Sequence, residues 1–547
     1  MRIAATYLAA CRYCLMALVA LAAALPAAPA RAAGIAPGLL DPLAGDDTQA
    51  KLQVISQLGR TAGDPMALSV LEALGRGELY HVAAQRFLLK DKDGALRDAA
   101  DGAAAELPAQ AEPIMLNNRL RRAIQGALAG SRLFSDDVDV RLQAAVRMQQ
   151  STGDAAAGLV RKALAGEKSA QVRHALEIAL ASAELQSPDP AVRRRAAQAL
   201  GEAKSAAFRP RLAALLAQDA SGAYAEPDAG VREAAAAAVR KIDRHLSIIE
   251  WAGNLFYGLS LGSVLLLAAL GLAITFGLMG VINMAHGELL MIGAYVAYVA
   301  QWLFRQYAPA WADWYVVAAL PMAFVVTAAV GMVLERSVIR WLYGRPLETL
   351  LATWGVSLML MQAVRSVFGA QNVEVGNPSW MSGGVTVLGG LVLTYNRLAI
   401  IVFSIAVVGF VWLLLNHTRL GLFVRAITQN RSMADCVGVP TGRVDMLAFG
   451  LGSGIAGLAG VALSQLGNVG PDLGRAYLVD SFMVVVMGGV GQLAGTVIAA
   501  LGLGGINKVL EPFSGAVLAK ITILVLVVLF VQKRPQGLFA PRGRSAE

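Results

Sequence analysis

The chain is poor in charge and nearly free of cysteine. Of its 547 residues, 16% are Asp, Glu, Lys or Arg, against roughly 25% in average soluble proteins. A single soluble domain of this length is not expected at such a polarity. A content of 56% apolar residues argues against a disordered chain. Cys11 and Cys14 make a C-x-x-C inside a leader-like segment, and Cys436 stands alone. No internal disulfide framework, redox centre or zinc site is therefore expected. His81, His174 and His245 lie far apart without metal-ligand spacing, so no metal or cofactor is expected. No G-x-x-x-x-G-K-[ST] occurs. The chain has no recognisable P-loop and is not expected to be an enzyme; any ATP chemistry belongs to a partner.

The charge that is present is uneven. Only 28 of the 85 Asp, Glu, Lys and Arg residues lie in 251–547. The first half reads as aqueous and the second as a multi-span membrane domain, in contact with lipid. The net charge is +9, but in the second half the basic residues sit in loops between apolar runs. That is a topogenic pattern rather than a phosphate-binding face, and no nucleic-acid partner is expected.

Residues 1–32 read as a signal peptide. Arg2 and Arg12 precede an apolar core from Leu15 to Leu25, and Ala30-Arg31-Ala32 is an A-x-A site. An uncleaved anchor is the alternative. Residues 33–247 are then periplasmic. They are rich in helix formers and lack β-branched runs. A Val-Arg signature recurs at Val140-Arg141, Val172-Arg173, Val192-Arg193 and Val231-Arg232, and Asp189-Pro190 opens the clearest copy as cap and first turn. Stacked amphipathic helices of this kind resemble HEAT repeats. Arg193-Arg194-Arg195, with Arg209 and Arg211, predicts an exposed basic strip, either a solvated face or a docking surface.

In 251–540, apolar runs cover about 255–279, 289–304, 315–334, 348–368, 398–416, 444–466, 478–508 and 516–532. Gly488-Gly489, Gly491 and Gly495 invite a break in the seventh. Basic groups at Arg336, Arg340 and Arg345, at Arg419, Arg425, Arg431 and Arg443, and in the tail 533–547 predict three cytoplasmic segments. The loops around Asp313, Glu374 and Asp472 are then outside. Nine spans fit if 478–508 crosses twice, and seven if it is re-entrant.

Gly258-Leu259-Ser260-Leu261-Gly262 matches the nucleophile elbow of hydrolases, and Gly452 to Gly457 matches G-x-G-x-x-G. Both lie inside apolar helices, where small residues serve helix packing. The polar residues Asn283, His286 and Glu288 are embedded in GVINMAHGELLMIGAYVA. A charged group at mid-membrane costs about 2.5–3.5 kcal/mol on insertion scales. Asn283, His286 and Gly287 would share one helix face, as part of a translocation path or as a polar clamp between helices.

INMAHGE followed by LLMIGAYVA resembles the start of the branched-chain amino-acid type of ABC importer permease. Thr418 to Gly460 resembles that family's cytoplasmic coupling segment, and Met483 to Leu501 also fits. The resemblance implies that Arg419, Arg425, Ala426, Asn430, Ala434 and Gly438, in a coupling loop at 417–443, press on an ATPase. ATWGVSL (Ala352–Leu358), FGAQNVEVGNPSW (Phe368–Trp380) and the exported extension resemble the urea-transport subfamily, which adds Asn372 and Glu374 to the candidate path. The expectation is an all-α chain, a polytopic helical bundle preceded by a soluble HEAT-like domain. It implies a urea-importing permease with a second homologous permease subunit, two ATPase subunits and a periplasmic solute-binding protein. An amino-acid or short-amide importer is the nearest alternative, and a membrane-anchored binding scaffold the alternative from another class.

Overall fold

The computed structural model describes residues 35 and 38–539, apart from 61–64, 83–85, 92–93, 107, 109–110, 151–153 and 221. Residues 1–32, expected to be a signal peptide, with Cys11 and Cys14, and the tail arginines Arg542 and Arg544 lie outside the described residues. The chain divides into two units, Met1–Leu246 and Ser247–Glu547.

The first unit is helical with one small sheet. Helices α1 (Thr48–Arg60), α2 (Pro65–Arg76) and α3 (Asn118–Arg132) close over strands β1 (Leu79–Val82), β2 (Arg86–Lys90), β3 (Leu96–Asp98) and β4 (Glu112–Pro113). The antiparallel sheet has the order β3-β2-β1-β4, with Leu79 opposite Leu89 and His81 opposite Phe87. A reading from helix formers misses this sheet. Its strands draw on Tyr, Phe and Leu, in runs too short for a helix. Buried Leu79, Phe87 and Leu89 join the core of α1–α3.

The remaining helices α4 (Val138–Met148), α5 (Asp154–Gly166), α6 (Ala170–Glu184), α7 (Pro190–Glu202) and α8 (Arg209–Ala214) stack through two alanine- and leucine-rich cores. Asp189 caps α7, accepting from the Ala191 amide at 2.8 Å with Pro190 at the first turn. The structure explains the recurring Val-Arg. Each valine is at a helix start, and Val172 and Val231 are fully buried. Each arginine reaches back to the loop before its own helix. Arg141 donates to the Ser135 and Asp136 carbonyls, Arg173 to Glu167, Arg193 to Ser187 and Pro188, and Arg232 to Glu226 and Pro227. Two of them also cross to a later loop: Arg141 forks onto the Glu167 carboxylate and Arg193 onto Glu226.

The expected basic strip is partly consumed by such bonds, while Arg194 and Arg195 stay exposed. The Arg193 side chain is 13% exposed. Arg209 pairs with Asp243 at 2.5 Å, and Arg211 donates to Ser182 Oγ and to the Gln149 and Gln150 carbonyls.

Helix α9 (Ala229–Met279) begins in the first unit, and its later part opens the second. The second unit continues with α10 (His286–Tyr307), α11 (Tyr315–Ser337), α12 (Pro346–Phe368), the hairpin β5 (Gly384–Val387) and β6 (Leu391–Thr394), α13 (Tyr395–His417), α14 (Arg419–Gln429), α15 (Arg431–Cys436), α16 (Thr441–Ser464), α17 (Leu473–Gly488) and α18 (Leu493–Lys533). Among the described residues, seven helices are long and apolar enough to cross a membrane. The 478–508 run breaks as expected, between α17 and α18, where Gly489 and Gly491 take φ of 100° and 79°. Helix α17 has 16 residues, about 24 Å of rise, short of a ~30 Å hydrocarbon core. Helix α18 leaves helical geometry at Gly515, with φ 77° and ψ 162°. Its two parts pack against each other, with Ile523 and Val527 joining Leu503 and Val484 in one cluster.

The bundle is drawn tight by small residues. A Cβ on Gly293 or Gly460 would overlap the backbone of the facing helix, as would one on Gly258 or Gly262 against Gly505 and Leu501. Gly452, Gly454 and Gly457 likewise meet Gly271, Phe324 and Thr327. Both glycine motifs are therefore packing surfaces. Ser260 of the elbow-like motif is buried, and its hydroxyl accepts from Arg397 at 3.3 Å. An arginine there is no general base for a nucleophile.

Candidate functional site

Three polar centres lie in the second unit. The first is the entry to α10. The chain leaves α9 at Met279, turns at Gly280 (φ 64°) and runs non-helically to Ala285. Asn283 is thus not on the α10 face, contrary to the single-helix expectation. Its side chain accepts from the Ala285 amide at 3.0 Å and stabilises the turn. The Met284 amide donates to Thr353 Oγ1 at 3.1 Å. His286 Nε2 donates to the Ala268 carbonyl of α9 at 2.9 Å, a tautomer fixed by the acceptor-only carbonyl. Ser357 Oγ donates to Glu288 Oε1 at 2.6 Å. Asn283, His286 and Glu288 are 1%, 0% and 1% exposed. Asn283 Nδ2, His286 Nδ1 and Glu288 Oε2 have no hydrogen-bond partner among the described residues. Thr353 and Ser357 both belong to ATWGVSL, so that motif packs directly on INMAHGE.

Helix α17 begins beside this entry. Gly287 and Gly474 meet backbone to backbone, and a Cβ on either would overlap the other. Two helices that start after non-helical segments therefore converge there.

The second centre is formed by the loops around Asp313, Glu374 and Asp472. Asn372 and Glu374 are exposed and flank Val373, which pairs with Val469. Gly376 accepts from Gln301 Nε2 at 2.7 Å and from the Tyr315 hydroxyl at 2.8 Å. Asp313 accepts from Ser379 Oγ at 2.6 Å, and Arg365 donates to Asp472 at 2.9 Å. The loops of Asp313, Glu374 and Asp472 thus gather at one end. Asn372 and Glu374 are not brought to Asn283, His286 and Glu288.

The third centre is the 417–443 segment. Thr418 caps α14, accepting from the Gly421 amide at 3.4 Å, and Asn430 caps α15, accepting from the Met433 amide at 2.9 Å. Gly438 ends α15 at φ 88°, with the Val439 amide returning to the Ala434 carbonyl. Ile427, Ala434 and Val444 form a small core, packed by Phe423 and Ala426. Asn430, Ala434 and Gly438 thus shape the loop. Arg419 and Arg425 are exposed, and so are three residues the sequence reading passed over: Leu422 (58%), Met433 (62%) and Val437 (72%). Apolar residues in a polar loop were the available signal. Arg425 also lines a cavity of about 920 Å³, with Leu270 and Gly277 of α9, Trp412 of α13, and Gln492 and Val497. The three basic segments share this end: Arg431 covers the Tyr343 ring after Arg340, and Leu538, near the tail, bonds Met487 beside the Gly489 turn.

A family model described as the permease component of branched-chain amino acid transport systems matches residues 254–531. The high-affinity branched-chain amino acid transport system permease protein BraD of Pseudomonas aeruginosa is 30% identical over 304 residues, covering 53% of this chain and 96% of that protein. The corresponding LivH of Escherichia coli K12 is 28% identical over 292 residues, covering 52% and 94%. The ribose import permease protein RbsC of the same organism is 29% identical over 134 residues, covering 22% and 42%.

Proposed function

The chain belongs to the family of permease components of branched-chain amino acid transport systems, and from that premise we propose that it carries urea through the bundle as one subunit of an ATP-driven importer. It is a multi-pass inner-membrane permease, and its relatives are transport subunits, not enzymes. The partners are a second, similar permease subunit, two ATPase subunits and a periplasmic solute-binding protein.

The observation that carries the coupling part is the 417–443 loop. It is a capped two-helix unit with its own core, exposing Leu422, Met433 and Val437 beside Arg419 and Arg425. Apolar anchors inside a basic rim suit a groove on a partner. This end faces the cytoplasm by the positive-inside rule, and residues 33–247 face the periplasm. Reversing the charge at Arg425, together with Met433→Glu, should release the ATPase subunits from purified complex while the permease still inserts. Retained ATPase would refute the docking surface. Thiol labelling from outside should reach a cysteine placed at Ala100 and miss one at Arg534.

Urea is supported by the two urea-subfamily-like stretches. One of them supplies Thr353 and Ser357 to the α10 entry. Urea is small, neutral and rich in donors and acceptors, and the Asn283, His286 and Glu288 atoms without a partner among the described residues offer both. The path would run past this entry, with Asn372 and Glu374 at its outer mouth. The names of the matched relatives favour a second reading, a branched-chain amino acid. Solute-stimulated ATP hydrolysis by the complex separates them: stimulation by urea-loaded binding protein supports the first, and by leucine alone the second.

A further inference from the structure

Asp445, near the start of α16, is completely buried in its side chain, yet it pairs with Arg431 of α15, whose side chain is 43% exposed. The guanidinium of Arg431 also lies over the Tyr343 ring, 4.8 Å from its centre. Tyr343 sits in the short connection between α11 and α12, and its hydroxyl donates to Glu335 Oε1 of α11 at 3.1 Å. Its ring packs with Met279, Val281, Ile339 and Phe449. Burial, followed by the Asp445 and Glu335 carboxylates, pushes the Tyr343 hydroxyl up, so it stays a donor.

One exposed residue of the loop thus reaches a buried charge on α16 and, through one aromatic ring, a buried charge on α11. Helix α15 has only six residues and cannot hold its own position by helix stability. If the loop moves alone, Asp445 is left buried and unpaired, which is strongly unfavourable. The loop and the two helices must therefore move together, or Arg431 must find another acceptor. A candidate lies across the Tyr343 ring: Glu335 Oε2, like Asp445 Oδ1, has no partner among the described residues.

We infer that Arg431, Asp445, Tyr343 and Glu335 form a latch that transmits displacement of the 417–443 loop into α11 and α16. Arg431 is the positioning residue, and Glu335 is its acceptor in a second arrangement. The inference rests on the loop being the ATPase contact. It concerns what lies behind that contact, because Asp445 and Glu335 are buried and cannot touch a partner.

The test uses the intact transporter, co-purified with its ATPase and binding-protein partners and reconstituted in liposomes. The readout is radiolabelled urea or leucine, whichever the wild-type complex carries, transported per ATP hydrolysed. Arg431→Gln should keep the ATPase bound and hydrolysing, while this ratio falls about tenfold or more. Arg431→Lys, which keeps charge but loses the planar stack, should fall between it and wild type. Tyr343→Phe, which keeps the ring and removes the hydroxyl's bonds to Glu335 and to Met279 Sδ, should lower the ratio a few-fold. An unchanged ratio in Arg431→Gln overturns the latch, whether uptake is normal or reduced only in proportion to assembled complex. If that variant does not assemble, Asp445→Asn and Tyr343→Phe decide: an unchanged ratio in whichever of them assembles also overturns it. Met433→Glu reads the outer surface separately. ATPase that stays bound and coupled in that variant would remove the docking reading, whatever Arg431 does.

Discussion

The two units bury carboxylates on opposite terms. In the first, Glu167 accepts from two nitrogens of Arg141 and from the Lys168 and Ser169 amides, so both its oxygens are satisfied. Glu226 is held likewise by Arg193 and the Asp228 amide. In the second, Glu288, Glu335 and Asp445 each keep one buried oxygen without a partner among the described residues. The second unit holds together instead by close backbone approach at glycine. A saturated polar staple has one good arrangement and specifies a stack. A half-saturated one has alternatives within reach, which suits helices that must shift during a transport cycle.

The comparison is most vulnerable at the glycines, where the largest effect is expected. A side chain at Gly474 would overlap the backbone of Gly287, with no flexible neighbour to yield. Gly474→Val should abolish transport and sharply reduce assembled complex. Gly502 lies on α18 with open space around its would-be Cβ. Gly502→Ala should leave both nearly unchanged, as measured by uptake per membrane-inserted copy. Comparable behaviour of the two variants would mean that close approach does not hold the bundle.

A smaller but still large effect is expected in the first unit. Removing one partner of a buried ion pair leaves the other charge uncompensated, at a cost of about 3–5 kcal/mol. Arg193→Ala should therefore destabilise α7 and its neighbours by roughly that amount, since it strands Glu226 and frees the Ser187 and Pro188 carbonyls. Amide exchange of 190–242 in the intact chain reads this directly. The solvent-exposed pair Lys241–Glu202 is the control, where loss should barely change the exchange.

Much of this was legible in the sequence, and the exceptions share a cause. Apolar runs marked the membrane helices, and glycines marked the break at 489–491, because both signals are local. Asp189-Pro190 marked its cap for the same reason. The sheet at 79–113 escaped because its strands are too short to show a period. Asn283 was placed on a helix because spacing alone does not reveal that its side chain takes the Ala285 amide. The Val-Arg repeat was visible, but the partners Glu167 and Glu226 lie 26 and 33 residues on from their arginines. Arg431 is exposed and topogenic by sequence. Only the fold brings Tyr343 beneath it and Asp445 against it.

The smallest effect expected is on acid stability, and its sign follows from the staple. Hydrogen bonding from Arg141, opposed by burial and aided by the Ser169 and Lys168 amides, holds the Glu167 carboxyl at about 2, below its ordinary 4.5. Arg193 lowers Glu226 in the same direction. A carboxyl that binds its proton less readily when folded stabilises the fold while ionised. The contribution of Glu167 is therefore complete above pH 4.5 and is lost as pH falls from there to about 2. Glu167→Gln should be less stable than wild type at neutral pH, and the gap should close across that window. Exchange of α4–α6 amides in the intact chain, corrected for intrinsic rate, measures it. A gap between Glu167→Gln and wild type that stays constant from pH 5 to pH 2 would show that Arg141 does not favour the charged form of Glu167.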